Sequence, residues 1–94
     1  MATIRIEHPV PDFGAWKKAF DSDPLHRKQS GVRRYRIFRA VDNPNFVTVD
    51  LEFDSSTEAH ALLGALQTLW RRVEGTVVEG PRARILETVE IQEY

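Results

Sequence analysis

Apolar and polar residues alternate with period two through Thr3-Ile4-Arg5-Ile6-Glu7-His8, and the run stops at Pro9. Alternation of this kind predicts a first β-strand with one face toward a core. Pro9 and Pro11 mark its exit, and Asp12 has the character of a helix N-cap. The period then changes: Phe13, Trp16 and Phe20 recur at helical spacing, with Lys17 and Lys18 toward the flanks. Asp23-Pro24 predicts a second helical start, an N-cap followed by a first-turn proline, and Gly31 a C-terminal stop. Residues 12–30 read equally as one bent helix or as a helix plus a turn.

Two further alternating runs, Arg34–Arg39 and Phe46–Phe53, are separated by Asp42-Asn43-Pro44-Asn45, a turn-forming sequence. Folding one run on the other sets Arg36 opposite Asp50 and Arg34 opposite Glu52, with Tyr35, Ile37, Val49 and Leu51 on the reverse side. Opposite charges across a strand pair are favourable, and a slip of one residue would send every side chain to the wrong face. Ser55-Ser56-Thr57-Glu58 fits a capping box, with serine and glutamate satisfying each other's orphan backbone donors. It opens a helix whose inner face is Ala59, Leu62, Leu63, Leu66 and Trp70. Gly64 in that helix costs about 1 kcal/mol against alanine, which points to close packing. Val73 to Gly80 reads as an irregular return, and Pro81 precedes a last strand from Ala83 to Ile91.

The order β-α-β-β-α-β predicts an α+β, ferredoxin-like split βαβ fold: a four-stranded antiparallel sheet with both helices on one face. Residues 1–94 form a single domain, too short to divide into two cores. Ile4, Ile6 and His8 should face the helices, as should Tyr35, Ile37 and the odd positions Val47 to Phe53, with Ile85 and Val89. Arg5, Glu7, Arg34, Arg36, Asp50 and Glu52 should line the other side, with Phe38, Thr48 and Leu86.

Composition narrows what that uncovered side does. With 13 basic and 14 acidic side chains the net charge is −1, which argues against nucleic acid or an anionic membrane as partner. An RNA platform of this strand order would also need exposed aromatics on the first and third strands, where Arg5, Glu7, Thr48 and Asp50 stand. Two readings remain: bare sheet facing solvent, or two sheets pressed together in a homodimer, toward which Phe38 and Leu86 lean. The chain has no cysteine, and Met1 leads directly into strand-like alternation with no signal-peptide pattern. The expectation is a soluble, cytoplasmic protein.

The sequence resembles the dimeric α+β barrel proteins, specifically the small bacterial antibiotic-biosynthesis-monooxygenase-like members. The resemblance spans nearly the whole chain. It is carried by His8, Val10-Pro11-Asp12, Trp16-Lys17, Phe20-Asp21, Arg27 and Gly31, then by Tyr35-Arg36-Ile37-Phe38-Arg39 and Asp42-Asn43-Pro44-Asn45. Glu52-Phe53-Asp54-Ser55 and Gly80-Pro81 complete it. It implies a homodimer through the helix-free sheet face, with the C-terminal strand, Glu87 to Tyr94, reaching across to the partner. It also implies a small molecule held between sheet and helices. It does not name a reaction, because the superfamily hosts cofactor-independent oxygenases, haem-degrading enzymes, cyclases, isomerases and proteins with no known activity.

Histidine is the natural proton-transfer group near neutral pH. His8 shares a strand face with Ile4 and Ile6 and looks toward the Trp16 helix; it is either catalytic or a hydrogen-bonded histidine at the edge of the core. His26, beside Arg27, leans over the same mouth or is a solvated helix residue, and His60 reads as surface. Trp16 and Trp70 could stack on a planar ligand or simply pack. Tyr35 could donate a hydrogen bond to it, and Arg27 could hold a carboxylate or oxyanion or pair with Asp23. Zinc-ligand spacing, a phosphate loop and a GxSxG elbow are all missing, so neither metal nor cofactor is expected. In haem-degrading relatives a Trp and His set surrounds the second helix; no histidine comes after His60 here. The reading is therefore a homodimer binding a small apolar or aromatic molecule. As an enzyme it would be a cofactor-independent monooxygenase-like protein, with His8 and Tyr35 catalytic and Trp16, His26 and Arg27 binding. The alternative is a non-catalytic ligand-sensing or interaction module.

Overall fold

The alternation at the N-terminus becomes β1 (Ala2–Pro9), whose Ala2, Ile4, Ile6 and His8 are buried while Arg5, Glu7 and Pro9 are exposed. A computed structural model describes residues 1–73 and 80–94. After β1 come α1 (Phe13–Asp21), β2 (Val32–Ala40), β3 (Asn43–Phe53), α2 (Ser56–Val73) and β4 (Arg82–Glu87). The strands form one antiparallel sheet in the order β2-β3-β1-β4. This is the expected α+β, ferredoxin-like split βαβ arrangement. No helix among the described residues is long and apolar enough to cross a membrane.

Both helices begin where their caps predict. The Asp12 carboxylate accepts the Ala15 N–H at 2.8 Å and starts α1. Ser55 accepts the Glu58 N–H at 3.4 Å and starts α2, but Glu58 takes the serine hydroxyl, not a backbone N–H, so the capping box is only half formed. The Glu58 carboxylate is instead drawn over Gly31, where a Cβ would collide with it. Ala59 and Leu62 on the inner face of α2 are buried against the sheet, with Leu63, Leu66 and Trp70 packed around them. Gly64 has no neighbour within 4 Å of where its Cβ would stand, so close packing does not account for it.

Three boundaries differ from expectation. Of the two readings of residues 12–30, the structure shows the helix plus a turn, and Asp23-Pro24 starts no second helix: Asp23 and His26 take φ of 52° and 51°, left-handed conformations that interrupt any helix. In its place the chain makes a single turn from Arg27, closed at Gly31 (φ 101°) by Val32 N–H to Arg27 C=O and Gly31 N–H to Lys28 C=O. The β2–β3 reversal lies at Val41-Asp42, with Ala40 paired to Asn43, because the Asn43 side chain accepts the Asn45 N–H at 3.0 Å and bulges Pro44–Phe46. β4 stops at Glu87 and not at Ile91, since Glu87 pairs with Ala2 and Thr88 N–H reaches Met1 C=O; β1 offers nothing further. Val89 and Ile91 are accordingly exposed and not in the core. The irregular return expected over Val73–Gly80 falls on residues 74–79, outside the described part.

The β2–β3 register is the expected one: Arg36 opposite Asp50, Arg34 opposite Glu52, Ile37 opposite Val49. Asp50 is nonetheless fully buried and Glu52 nearly so, although both lie on the face the helices leave open. Guanidinium groups cover them. Arg34 grips Glu52 through two bonds of 2.9 Å, and Arg36 lies 3.7 Å from Asp50 and 3.6 Å from Glu52. The tightest grip on Asp50 comes from the other neighbouring strand, through Arg5 at 2.8 and 2.9 Å. Such two-pronged pairs are the strongest hydrogen bonds available to a carboxylate. Solvent reaches the arginines and discounts the Coulombic part.

Arg5's hydrogen bonds hold the Asp50 carboxyl below its usual pKa against the opposing effect of burial. A depressed folded-state pKa contributes stability above the unfolded value, near pH 4, and that stability is lost as pH falls further. Asp50→Asn is therefore expected to lower unfolding free energy at pH 7 by about 2 kcal/mol and to flatten the loss of stability between pH 4 and 2. Urea titrations of both proteins across that range measure it.

Candidate functional site

Between the sheet and the helices the core is not filled. A cavity of about 290 Å³ opens there. Its floor is Ile6, His8, Val49 and Leu51 of the sheet, one wall is Trp16, Ala19 and Phe20 of α1, and the opposite wall is Leu62, Leu66, Leu69 and Trp70 of α2. The segment after α1 adds Ser22, Pro24, Leu25 and Arg27. Apolar side chains dominate, with His8, Ser22 and Arg27 the polar ones, as in most small-molecule sites.

His8 and the aromatic stripe of α1 form one connected run. The His8 ring centroid lies 5.8 Å from Trp16, Trp16 lies 5.2 Å from Phe20, and Phe20 meets the edge of Tyr35 at 5.1 Å. His8 sits at this depth because alternation in β1 turns it inward with Ile4 and Ile6. Its Nδ1 lies 3.2 Å from the Pro9 carbonyl oxygen, and since a carbonyl only accepts, Nδ1 carries the proton. The nitrogen left with a lone pair is Nε2. Burial lowers the His8 pKa, and the backbone hydrogen bond opposes the shift only in part. A neutral imidazole in an apolar hollow is a proton acceptor.

The other expected site residues divide between the cavity and the surface. Trp16 is buried and lines the cavity. Arg27 lines it too, with its guanidinium 3.8 Å above the Phe20 ring, donating to the Phe20 carbonyl at 2.9 Å and pairing with Asp23 at 3.3 Å. Tyr35 stands on the outer strand β2, 43% exposed, outside the lining and separated from it by Phe20. His26 is exposed and also outside the lining, because the turn that replaces the expected helix carries it outward. His60 is on the surface of α2, bonded to the Ser56 carbonyl at 2.7 Å. Pro24 and Leu25 escaped sequence reasoning because no periodic pattern marks a loop residue as inward-facing. No group of three or more metal-ligating side chains occurs among the described residues.

No family model matches the sequence, and no curated protein matches it. Solved structures do match in shape. A candidate antibiotic biosynthesis monooxygenase from Bordetella bronchiseptica superposes with a TM-score of 0.73, covering 95% of this chain and 97% of that one at 13% identity. SnoaB from Streptomyces nogalater, a cofactor-independent oxygenase, gives 0.74 over 96% and 94% at 11% identity. A second candidate monooxygenase, from Nitrosomonas europaea, gives 0.71 over 94% and 89% at 16% identity. The chain has the antibiotic biosynthesis monooxygenase fold. At these identities the likeness is one of backbone path, and the chemistry must come from the residues themselves.

Within this fold, His8 is the one titratable group among the described residues that is buried, lies on the cavity wall and has a shifted pKa. Its depressed folded-state value means that the unfolded chain binds the proton first as pH falls below about 6.5. Stability should therefore be full above that pH and decline from about pH 6.5 downward. Thermal melting of the parent and of His8→Gln between pH 7.5 and 5 tests this: the parent's melting temperature should fall through that window and the variant's should stay level.

Proposed function

We propose that this protein binds a small apolar or aromatic molecule in the cavity beside Trp16 and acts as a cofactor-independent, monooxygenase-like enzyme, with His8 as the proton-transfer group. The observation that carries the reading is a buried imidazole, its pKa lowered by burial, on the wall of a mostly apolar hollow. The naming of SnoaB, a neighbour in shape, as a cofactor-independent oxygenase supports it by analogy.

An oxygenase without a cofactor must take its electrons from the substrate. Removing a phenolic or similarly acidic proton gives an anion able to reduce dioxygen. One oxygen atom then enters the ring carbon and the other leaves as water with the two hydrogens the substrate gives up. His8 Nε2 would take the first proton. Arg27 would stabilise the negative charge that develops. Tyr35 acts at one remove, by bracing Phe20 and Arg27, and His26 by shaping the turn beside them. A phenol that acts as a probe makes the contact visible: 2-naphthol should bind at one per chain at pH 7.5 and shift its absorbance to the red, the mark of a hydroxyl donating to an imidazole nitrogen. His8→Phe should bind it without the shift; identical spectra in the two proteins would remove His8 from the role.

The same reading makes the protein a homodimer through the helix-free sheet face, without nucleic acid or membrane as partner. Phe38 is 44% exposed on that face, and Val89, Ile91 and Tyr94 of the C-terminal segment are almost wholly uncovered in the single chain. A second copy that hides them is consistent with the apolar area a small domain needs to bury. Sedimentation velocity should give a dimer for the parent. Arg36→Glu, which sets a third carboxylate against Asp50 and Glu52, should dissociate it in part and lower its melting temperature. A parent protein that sediments as a monomer would contradict the arrangement.

A further inference from the structure

We infer that Ser22–Gly31 is a movable wall of the cavity and that Arg27 is the positioning residue that latches it shut. This rests on the reading of the cavity as a ligand site, and it says how a ligand gains access. Ser22, Pro24 and Leu25 form part of the lining, yet among the described residues the one backbone hydrogen bond from this segment to the sheet or α2 is Val32 N–H to Arg27 C=O, at the foot of β2 beside Gly31. Its other bonds are internal or run to the end of α1: His26 N–H to Asp23 C=O, Ser30 N–H to His26 C=O, and the Ser30 hydroxyl to Leu25 C=O. The Asp23 carboxylate accepts the Arg27 N–H at 2.9 Å. A unit bonded to itself can swing as one body without breaking a ladder.

The ends of the segment are suited to pivoting. Ser22 closes α1, and Gly31 at φ 101° holds a conformation open to glycine and strained for most other residues. Within the segment, Asp23 and His26 also hold positive φ, which disfavours the closed form unless other contacts over-determine it. Those contacts converge on Arg27. Its guanidinium donates to the Phe20 carbonyl, lies over the Phe20 ring, and stands 5.1 Å from the centre of Tyr35. It thereby ties the segment to α1 and to the outer strand at once. Asp23, at 3.3 Å, is the one carboxylate facing it among the described residues.

Trp16 reports on the wall. It is 5% exposed and lies on the cavity, so a small neutral quencher reaches it more readily when the wall opens. The chain has two tryptophans, and Trp70→Phe leaves Trp16 as the sole emitter. In that background, Arg27→Gln should raise the population accessible to acrylamide by about tenfold, the effect of losing one charge-assisted bond. His26→Val, a β-branched residue forced to positive φ, should act in the same direction. Arg27→Lys, still able to donate to the Phe20 carbonyl, should restore most of the protection, and His60→Ala should change nothing. Amide exchange in β1 and β3 is followed in parallel. Unchanged quenching in both Arg27→Gln and His26→Val would overturn the inference, as would a rise matched by faster exchange in β1 and β3. No ligand enters the measurement, so failure of 2-naphthol to bind and failure of the wall to move are separate results.

Discussion

Everything in this small domain hangs on β3, the strand covered on both faces. Its odd positions, Val47, Val49, Leu51 and Phe53, meet the helices; its even positions, Asp50 and Glu52, lie under arginines. A carboxylate at the depth of Asp50 needs cations beside it, and here both neighbouring strands supply one, Arg5 on β1 and Arg36 on β2. The ion pairs therefore fix the register of the central three strands together. That register decides the site, because a shift of one residue along β1 would turn His8 away from Trp16 and out of the cavity. Electrostatics on the open face thus holds chemistry in place on the closed one.

How much of this was legible in the sequence depended on how local each signal is. The β2–β3 pairing could be read because alternation and opposite charges agree, and the inner stripe of α2 because its spacing survives any tertiary context. Arg5 as the main partner of Asp50 was not legible, since it depends on β1 lying beside β3, a consequence of topology. The end of β4 was missed for a similar reason: Val89 and Ile91 alternate well, but strand length is set by the partner, and β1 begins at Ala2. Asp23-Pro24 carries the chemistry of a helix start and serves a turn, because a side chain that caps a helix also closes a single loop. Of the site, His8 and Trp16 could be found from strand face and helix stripe. Pro24 and Leu25 could not, and His26, read either as leaning over the mouth or as a solvated helix residue, is exposed on a turn.

The site has an unusual division between apolar capacity and polar economy. Most of its wall is Leu, Val, Phe and Trp, which rewards a ligand for leaving water without dictating its orientation. Orientation is left to a few groups, and two of them, His8 and Arg27, are themselves held by main-chain carbonyls, those of Pro9 and Phe20. Backbone oxygens do not titrate, so any pH dependence of these two contacts comes from the side chains alone. On the proposed reading, a hollow built this way would accept related molecules while offering each the same proton acceptor.

Gly31 links two parts of the molecule that share no strand. Because it lacks a Cβ, the Glu58 carboxylate can rest directly over it, and the same Glu58 belongs to the first turn of α2. The foot of the loop and the head of the helix are thus geared through one missing methyl group. Restoring a side chain there would displace the acid, loosen the turn it caps, and tilt the leucines that face the hollow. Natural variation at position 31 should therefore come with a shorter residue at position 58, the two sites drifting as a couple.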